Sequence, residues 1–321
     1  MSIATVPPSI TAIIITHAGG PILAECVASL RGQSQPVDAI LVVVSNHLIE
    51  VDAPALQLGE NVGYARAANA GVAASTGEIL LLNDDTRLDS GFIAALHRAW
   101  TGGGVYQPRI RLADGTGRLD NMGLGFFPDG AVWARGRGGP DEGVPGVPGC
   151  FSGAAVLFAR ALWESLGGFD ERLGSFCEDV DLSLRMMRRG VAITPVPDAV
   201  VDHHLGASWG RHGAEKIRLL ERNRLRAAVR SMPASALLWM PVATLGRYAA
   251  LAALAGAGRG PGKELEEGAR TAALRGLWEG VKGIPEVWAD RKRDAAGWAL
   301  GEAQMVRALV RSRARWRDVS R

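Results

Sequence analysis

Apolar runs alternate with segments of helical spacing along the first hundred residues. Continuous apolar, β-branched runs at residues 11–16, 40–44 and 78–82 predict strands that are buried on both faces. Between and after them, apolar residues recur at helical spacing over residues 21–30, 64–74 and 91–100. This strand–helix repetition predicts a mostly parallel α/β sheet with right-handed crossovers.

The next hundred residues are less regular. Residues 109–149 are rich in Gly, Pro and Arg, and we expect irregular hairpins there. Residues 162–168 predict a short helix. The clearest helix spans residues 177–190, because it has acidic residues in its first turn, arginines in its last turn and Gly190 just past its end.

The character changes again after about residue 211. Residues 215–230 predict a basic helix, and residues 236–255 form a strongly apolar segment that contains Pro241 and Arg247. A central arginine costs ~2.5–3.5 kcal/mol on insertion into a bilayer, which favours a helix that lies in the membrane plane or docks on the protein over a helix that spans. Four tryptophans among arginines are typical of a membrane interface, namely Trp278, Trp288, Trp298 and Trp316. The alternative is that these helices pack on the α/β domain.

Composition excludes several classes of protein. With 47% hydrophobic and 21% charged residues, the chain is neither disordered nor a charged filament. Three cysteines without a CxxC pair exclude a disulfide scaffold or zinc ribbon and fit a reducing compartment. The first residues have no basic flank followed by an apolar core, so we expect no signal peptide and a cytoplasmic protein.

The net charge of +3 is unevenly distributed. Residues 1–210 contain 14 basic and 22 acidic residues, whereas residues 211–321 contain 22 basic and 11 acidic ones, and no lysine precedes Lys216. No zinc-finger or RNP-like motif accompanies the arginines, so we predict an anionic membrane surface rather than nucleic acid as the basic region's partner.

Polar residues follow the predicted strands, where parallel sheets bind their ligands. Thr16 and His17 follow the first strand, Ser45 follows the second, and Asn83-Asp84-Asp85 follows the third. Two carboxylates at a strand end can hold a divalent cation against a diphosphate. The alternative is an ordinary acidic turn.

A glycine-containing segment at residues 61–71 precedes and enters the second predicted helix. Gly63 permits an unusual turn, helix N-termini attract phosphate, and Arg66 could add a fork of donors. A glycine turn that begins an alanine-rich packing helix explains the same residues equally well.

Two further groups could carry chemistry. Glu178 and Asp179 stand at the leading edge of the 177–190 helix, where Asp179 could accept a hydroxyl proton, although favourable pairing with the helix dipole is the alternative. His203-His204 follows an apolar run, and neutral imidazole is a good ligand for a manganese-like ion. A histidine pair in that position can also be a satisfied core or surface feature.

The order of these groups resembles that in family 2 glycosyltransferases of the GT-A fold, and within them the rhamnosyltransferase-like branch. The resemblance covers roughly residues 10–212 and is carried by the first strand and by residues 61–71, 79–85, 168–171, 178–185 and 203–208. It implies a Rossmann-like, mostly parallel sheet flanked by helices at residues 1–212. Residues 213–321 look like the helical, membrane-associating extension of many bacterial members.

The resemblance also implies an inverting transfer of rhamnose or another hexose from a nucleotide-diphosphate sugar to a hydroxyl of a glycan or lipid-linked acceptor. Such an enzyme would work with Mn²⁺ or Mg²⁺ at the inner face of the cell membrane. Asp179 matches the general base of the family's ED motif, and Asp85 and His203 match the metal ligands, with His203 preferred to His204 for its spacing from Ser208.

The remaining site residues follow from the same resemblance and from the strand ends. We expect nucleotide-sugar binding from Thr16, His17, Ser45, Asn61, Gly63, Arg66, Asn69, Asn83 and Asp84. We expect Gly153, Asp170 and Glu178 to shape the donor and acceptor site. The chain departs from the family at Asn83, where an aspartate is usual, and at Ser45, where many members have an aspartate near the base.

Two other functions fit parts of the pattern. A sugar nucleotidyltransferase also uses a doubly wound sheet, and Gly19-Gly20 after the first strand suits it. Such enzymes usually place a lysine on the phosphates, however, and no lysine precedes Lys216 in this chain. A membrane-bound module that binds sugar nucleotides without catalysis is the non-enzyme alternative, and the presence of both Asp179 and His203 counts against it.

Overall fold

A mixed β-sheet organises the N-terminal part of the chain in the computed structural model, which describes residues 9–141, 146–204, 213–259 and 268–319. The described strands are β1 (Ile10–Thr16), β2 (Ala39–Val44), β3 (Ala55–Gln57), β4 (Glu78–Asn83), β5 (Thr86–Leu88), β6 (Val105–Leu112), β7 (Leu119–Asn121), β8 (Leu124–Phe126), β9 (Val132–Ala134), β10 (Ala155–Phe158) and β11 (Ile193–His203).

The sheet has the order β3-β2-β1-β4-β10-β6-β11-β5, with β7 paired to β6. Strands β3, β2, β1 and β4 are parallel, whereas β10 is antiparallel to both of its neighbours. The register pairs Thr16 with Val44 and Ile15 with Asn83. The polar residues that follow these three strands therefore lie at one edge of the sheet, as predicted.

The segment at residues 109–149 forms the expected irregular hairpins in its described part. After β6, the short strand β7 returns along β6, and β8 and β9 form a separate two-stranded antiparallel sheet with Leu124 opposite Ala134. The weak periodicity of this segment reflects its short strands and frequent glycines.

The described helices are α1 (Pro21–Arg31), α2 (Tyr64–Ala73), α3 (Phe92–Ala99), α4 (Arg160–Leu166), α5 (Glu178–Arg188), α6 (Ala214–Ser231), α7 (Ala234–Gly256), α8 (Ala269–Lys282), α9 (Ile284–Asp294), α10 (Glu302–Arg311) and α11 (Trp316–Val319). Short 3-10 turns span Glu171–Leu173 and Ala295–Gly297. The predicted helices at residues 21–30, 64–74, 91–100, 162–168, 177–190, 215–230 and 236–255 all form, with ends displaced by one or two residues.

Apolar side chains cover both faces of the sheet. Helices α1 and α3 supply residues such as Leu23 and Phe92 to one face, and α2, α4 and α5 supply residues such as Val72, Trp163 and Leu182 to the other. This burial on both faces explains why the first strands read as continuous apolar runs.

All three cysteines are buried and free. Burial raises the pKa of Cys26 to about 12 and also raises the pKa values of the Cys150 and Cys177 thiols. The thiols therefore stay protonated at neutral pH, where they pack as small apolar groups.

The C-terminal helices share a core with the α/β part. Val180 of α5 and Phe126 of β8 lie in one apolar cluster with Leu225 of α6, Met240 of α7 and Met305 of α10. Boundaries at residues 1–212 and 213–321 remain a prediction, because this cluster joins the two regions. The inner faces of α6, α7 and α10 therefore pack on the α/β domain, as the alternative in the sequence analysis has it.

Helix α7 has two apolar faces. Met240 and Thr244 face the protein, whereas Leu238, Trp239 and Leu245 are 80%, 67% and 72% exposed. Among the described residues, α7 is the helix long and apolar enough to cross a membrane by length and composition. Its Arg247 makes ion pairs with Asp129 (2.7 Å) and Glu221 (2.8 Å), so one side of α7 is fastened to the domain.

Candidate active site

A cleft of about 330 Å³ opens at the carboxyl ends of β1, β2 and β4. Its walls come from these strand ends, the start of α2, the segment before β10, the start of α5 and the first turn of α6. The lining residues are Ile15, Thr16, His17, Ser45, Asn61, Gly63, Tyr64, Asn83, Asp84, Asp85, Ser152, Gly153, Ala154, Ser175, Phe176, Glu178, Asp179, His203 and Lys216. The predicted metal ligands and the predicted base thus face the same space.

Asp85 and His203 come together across the cleft wall. The Nε2 atom of His203 lies 3.2 Å from Oδ1 of Asp85, and this carboxylate oxygen is buried without a hydrogen-bond partner. Burial lowers the pKa of His203, but the adjacent carboxylates of Asp120 and Asp85 outweigh it and raise the pKa to about 9. A proton or a cation at Nε2 therefore has strong electrostatic support.

This pair fits a divalent cation as two protein ligands. An unpartnered buried carboxylate oxygen beside an imidazole nitrogen is a donor set that Mn²⁺ accepts. Within the described ranges, no cluster of three or more His, Cys, Asp or Glu side chains is arranged for a metal. Asp85 and His203 are thus the two described side chains that would hold such an ion.

The neighbouring His204 is used differently. Its backbone N–H donates to the Asp85 carbonyl at 2.8 Å, and its side chain is not among those that line the cleft. His203 is the last residue of β11, and His204 lies just beyond the end of the strand. This arrangement supports His203 as the better of the two candidates.

Asp84 is held by the end of β1. The Thr16 hydroxyl donates to Oδ2 of Asp84 at 2.5 Å, and the same hydroxyl oxygen accepts the Gly19 N–H. Burial raises the pKa of Asp84, and the hydrogen bond from Thr16 partly offsets this effect. Asn83, Asp84 and Asp85 form a rigid acidic turn at the cleft floor.

Asp179 and Glu178 stand at the first turn of α5. Phe176 and Cys177 precede them with positive φ angles of 70° and 62°, which L-residues rarely adopt. This energetically unfavourable backbone conformation directs the start of α5 toward the cleft. The predicted carboxylates therefore enter the cleft from strained backbone at a helix terminus.

The two carboxyl groups differ in ionisation. Burial raises the pKa of Asp179 to about 6, against the opposing effect of N–H groups of Val180 and Gly153. Burial and the Asp179 charge raise the pKa of Glu178 to about 8, and Oε2 of Glu178 has no hydrogen-bond partner. The pKa of Glu178 is raised further than that of Asp179, so Asp179 is the first of the two to ionise as the pH rises.

Gly153 lies against Asp179 and Tyr64. A Cβ atom added at Gly153 would lie 3.8 Å from Oδ2 of Asp179, and the Gly153 carbonyl accepts the Tyr64 hydroxyl at 3.0 Å. The position is thus a narrow part of the cleft wall, in keeping with the shaping role expected for Gly153.

The nucleotide side of the cleft contains four more of the predicted residues. His17 Nδ1 lies 3.0 Å from the Ser45 carbonyl oxygen, and the Ser45 hydroxyl accepts the Val62 N–H. Asn61 accepts the N–H of Gly63 in a tight turn. Gly63 has φ 80°, and a Cβ there would lie 2.9 Å from the Gly174 backbone, so only glycine fits.

The N-terminus of α2 does not offer the phosphate site that the glycine turn suggested. The Tyr64 N–H donates to the Ser175 hydroxyl and the Ala65 N–H donates to the Gly174 carbonyl, so these amides are already used. Arg66 is exposed and is not among the residues that line the cleft. The helix start supports the loop before α5 instead, which is the packing alternative.

Asn69 and Asp170 also lie outside the cleft lining. Asn69 exchanges hydrogen bonds with the Phe169 backbone and reaches Glu171. Asp170 makes ion pairs with Arg172 (2.5 Å) and Arg230 (3.3 Å). Their contacts hold the 168–171 segment on α2 and α6, so both side chains are engaged within the protein, and their expected roles at the ligand stay predictions.

Several cleft residues were missed by sequence reasoning. Lys216 comes from α6, and its Nζ lies 5.4 Å from the centroid of the Phe176 ring. In the sequence, no lysine precedes Lys216 and no motif points to a role for Lys216 itself at the site, whereas the fold brings it into the cleft. Ser152, Ser175 and Tyr64 were missed because isolated polar residues in loops or helices give no pattern. Predicted residues 205–208 lie outside the described part of the chain.

Part of the sequence is similar to known glycosyltransferases. Residues 148–229 match the model of the glycosyltransferase like family 2. An N-acetylglucosaminyl-diphospho-decaprenol L-rhamnosyltransferase of Mycobacterium tuberculosis is 27% identical over 242 residues, which cover 64% of this chain and 79% of that protein. The matched family segment contains Asp179 and His203.

Solved structures share the fold at low sequence identity. The mannosyltransferase PcManGT from Pyrobaculum calidifontis in complex with GDP-Man and Mn²⁺ has a TM-score of 0.51 and 17% identity, covering 96% of this chain and 88% of that one. S. aureus TarS 1-349 in complex with UDP-GlcNAc has a TM-score of 0.56 and 13% identity, covering 95% and 90%. The chain is therefore similar in sequence to family 2 glycosyltransferases, a rhamnosyltransferase among them, and it has the GT-A fold of the solved structures.

Proposed function

We propose that the protein transfers rhamnose or another hexose, with inversion, from a nucleotide-diphosphate sugar to a hydroxyl of a glycan or lipid-linked acceptor. The reaction depends on Mn²⁺ or Mg²⁺, and Asp179 is the general base. The observation that carries this proposal is the shared cleft of Asp85, His203 and Asp179. The relative named as an N-acetylglucosaminyl-diphospho-decaprenol L-rhamnosyltransferase, and the structural neighbours with bound GDP-Man or UDP-GlcNAc, support it.

Asp85 and His203 would hold the cation on the donor side of the cleft. When bound, the cation neutralises charge that builds on the departing diphosphate. Thr16 fixes the Asp84 carboxylate beside this pair, and Asn83 and His17 present polar atoms to the nucleotide. These contacts orient the donor before the reaction.

Asp179 acts on the acceptor side. Its carboxylate takes the proton of the acceptor hydroxyl as that oxygen bonds to the anomeric carbon. The bond from this carbon to the diphosphate oxygen breaks at the same time, and its electron pair leaves with the nucleoside diphosphate. A base on the face opposite the leaving group makes this single displacement invert the anomeric configuration. The raised pKa of Asp179 makes it a better proton acceptor near neutral pH.

Lys216 supplies positive charge to a cleft that is rich in carboxylates. Asp84, Asp85 and Asp179 line the same space, and a diphosphate would be repelled without cations. Lys216, at the start of α6, is a suitable partner for a phosphate oxygen. We assign it to phosphate binding.

The exposed face of α7 is the proposed membrane contact. Its apolar side chains Leu238, Trp239 and Leu245 face away from the domain, while Arg247 is fastened inside. A helix attached in this way lies along a membrane surface more readily than across it. This arrangement supports a peripheral enzyme on the inner face of the cell membrane that works on lipid-linked acceptors.

The decisive experiment replaces Asp179 by asparagine. Asp179→Asn keeps the size of the side chain but removes the base, so turnover should fall by ~10²–10⁴ while donor binding persists. Donors such as dTDP-rhamnose, UDP-galactose and UDP-glucose are screened first for Mn²⁺-dependent binding, and the product anomer is read by NMR. Asp198→Asn, an exposed charge-matched control on β11, should keep wild-type turnover. Near-normal turnover of Asp179→Asn, or a retained anomeric configuration, would refute the mechanism.

The presence of Lys216 in the cleft also revives the nucleotidyltransferase alternative. Such an enzyme releases pyrophosphate when it joins a nucleoside triphosphate to a sugar phosphate, whereas the proposed transferase releases a nucleoside diphosphate. Assaying both products with the same preparation distinguishes the two functions. Hydrolysis of the donor in the presence of Mn²⁺ would also exclude an inactive binding module.

A further inference from the structure

Asp120 lies beside the proposed metal pair but outside every sequence motif. It is the middle residue of β7 and is 2% exposed. In the pairing of β7 with β6, Ile110 pairs with Asn121 and Arg111 pairs with Leu119, so Asp120 is the extra residue of a β-bulge. A bulge redirects a side chain that regular pairing would point elsewhere, and bulges are frequent next to active sites.

Both carboxylate oxygens of Asp120 have defined partners. Oδ2 lies 3.0 Å from Nδ1 of His203 and accepts the Asn121 amide at 3.2 Å. Oδ1 accepts from Nη1 of Arg137 at 2.8 Å. Arg137 balances the buried negative charge and fixes the carboxylate plane, which leaves Oδ2 directed at the histidine.

The contact with Asp120 determines how His203 faces the cleft. With Nδ1–H donating to Asp120, the lone pair of the neutral ring is on Nε2, which lies 3.2 Å from the unpartnered Oδ1 of Asp85. Histidines that bind metals commonly donate their other N–H to a carboxylate, which fixes the tautomer and strengthens the ligand.

We propose that Asp120, held by the bulge and Arg137, is a positioning residue that orients His203 so that Nε2 and the Asp85 carboxylate face one divalent cation. This inference rests on the proposed metal-dependent function. It assigns a role to β7, a strand that contributes no residue to the cleft lining.

The test is Mn²⁺ binding to the full chain, measured without substrate by EPR of the free ion. Asp120→Ala should weaken Mn²⁺ binding by ~10–100-fold. Asp120→Asn retains an oxygen that can accept the Nδ1 proton, so its loss should be smaller. Arg137→Gln, which touches neither ligand, should lower the affinity by less than Asp120→Ala. Circular dichroism and thermal unfolding show whether each variant is folded.

Asp202→Asn is the matched control. Asp202 is also a buried aspartate paired with arginines, and it precedes His203 on β11, but it bonds Arg87 and Arg111 instead of the histidine. We expect it to bind Mn²⁺ as the wild type does. A folded Asp120→Ala protein with wild-type affinity, or equal losses in Asp120→Ala and Asp202→Asn, would overturn the inference.

The outcome also separates this inference from the proposed function. If Asp85→Asn and His203→Ala abolish Mn²⁺ binding but the Asp120 variants do not, only the role of Asp120 is wrong. If the wild type binds no Mn²⁺, or binds it equally well without Asp85 and His203, the metal site and the inference both fail.

Discussion

Glu178 and Asp179 are adjacent carboxyl residues whose surroundings raise their pKa values to different extents. Burial raises both pKa values, and the charge of Asp179 raises that of Glu178 further. Pairs of carboxyl groups with separated pKa values are typical of acid–base catalysis. In the proposed mechanism, this separation suits Asp179 as the group that accepts the proton and Glu178 as its more weakly acidic neighbour.

The pH dependence of kcat/KM should report both groups. Below about pH 6 Asp179 becomes protonated and cannot accept a proton, so activity should fall as the pH falls. Above about pH 8 Glu178 ionises and adds a negative charge near the diphosphate, so activity should also fall there. Glu178→Gln should remove the alkaline limb and keep the acidic one.

Measuring the profile at two Mn²⁺ concentrations distinguishes Asp179 from the metal ligands. If protons and the cation compete at His203, the acidic fall in kcat/KM moves to lower pH as the Mn²⁺ concentration increases. If the fall comes from protonation of Asp179, its position does not change. An acidic limb that vanishes at high Mn²⁺ would contradict the assignment to Asp179.

Lys216 should affect donor binding more than the chemical step. Replacing Lys216 by glutamine removes a positive charge from the cleft, so we expect KM for the donor to rise about tenfold or more, equivalent to ~1.4 kcal/mol. Lys216→Arg should recover most of the affinity. Arg218→Gln is the control, because Arg218 pairs with Glu215 and Glu279 away from the cleft lining. Equal KM values for Lys216→Gln and wild type would refute phosphate binding by Lys216.

The sequence was informative wherever a motif stood at the end of a regular element. Asp85 follows β4, Asp179 lies in the first turn of α5 and His203 ends β11. Its place at a strand end pointed to Asp85, and the family resemblance added Asp179 and His203. Asp120 could not be found in this way, because its direction depends on a bulge in a three-residue strand. Arg66 was misjudged because a helix N-terminus attracts backbone partners as well as phosphates.

At the scale of elements, the single arginine of α7, Arg247, attaches this helix to the rest of the protein. In the sequence, Arg247 is a charged residue that makes insertion of this helix into a bilayer unfavourable. In the fold, its guanidinium joins Arg224 in a buried ion cluster with Asp129 and Glu221. Helix α7, helix α6 and the β8–β9 loop are thereby tied together. The pattern alone could not show this, because all of the partners are distant in sequence.

Breaking this cluster should destabilise the whole protein. Arg247→Leu leaves Asp129 and Glu221 buried with Arg224 as their remaining arginine, so we expect the free energy of unfolding to fall by about 3 kcal/mol. Urea denaturation measures the change. Arg275→Leu removes an exposed pair with Glu279 and should change stability by less than ~1 kcal/mol. Equal stabilities of the two variants would show that the cluster does not hold α7 in place.

At the scale of the whole molecule, the charge asymmetry has an internal explanation as well as an external one. Arg224, Arg230 and Arg291 belong to the basic C-terminal region, yet they are buried and bond to acidic side chains or carbonyl groups. Arg230 reaches Asp170 and Asp181 of the more acidic N-terminal region. Counting charges along the chain therefore overstates the positive charge available to an anionic surface.

Apolar contact should accordingly dominate any membrane binding. We expect Leu238, Trp239, Val242 and Leu245, replaced together by serine, to reduce partitioning onto phosphatidylcholine–phosphatidylglycerol vesicles by more than tenfold, because four exposed apolar groups are lost. Vesicle co-sedimentation measures the effect, and pure phosphatidylcholine vesicles separate the charge contribution. Unchanged partitioning would move the membrane contact away from α7.

Point substitutions suit this question better than removal of residues 213–321. Such a deletion would uncover apolar residues that α6 and α7 bury, Val180 and Phe126 among them, and would take Lys216 out of the cleft. Loss of membrane binding in the truncated chain would then be indistinguishable from misfolding.

The buried thiols give the native chain a practical property. Maleimide and methanethiosulfonate reagents require an accessible thiolate, and Cys26, Cys150 and Cys177 are all enclosed with raised pKa values. A cysteine introduced at the exposed Leu245 position would therefore take up a fluorophore or spin label selectively in the folded protein, without prior removal of the native cysteines. The depth of that label in a lipid bilayer could then be read directly.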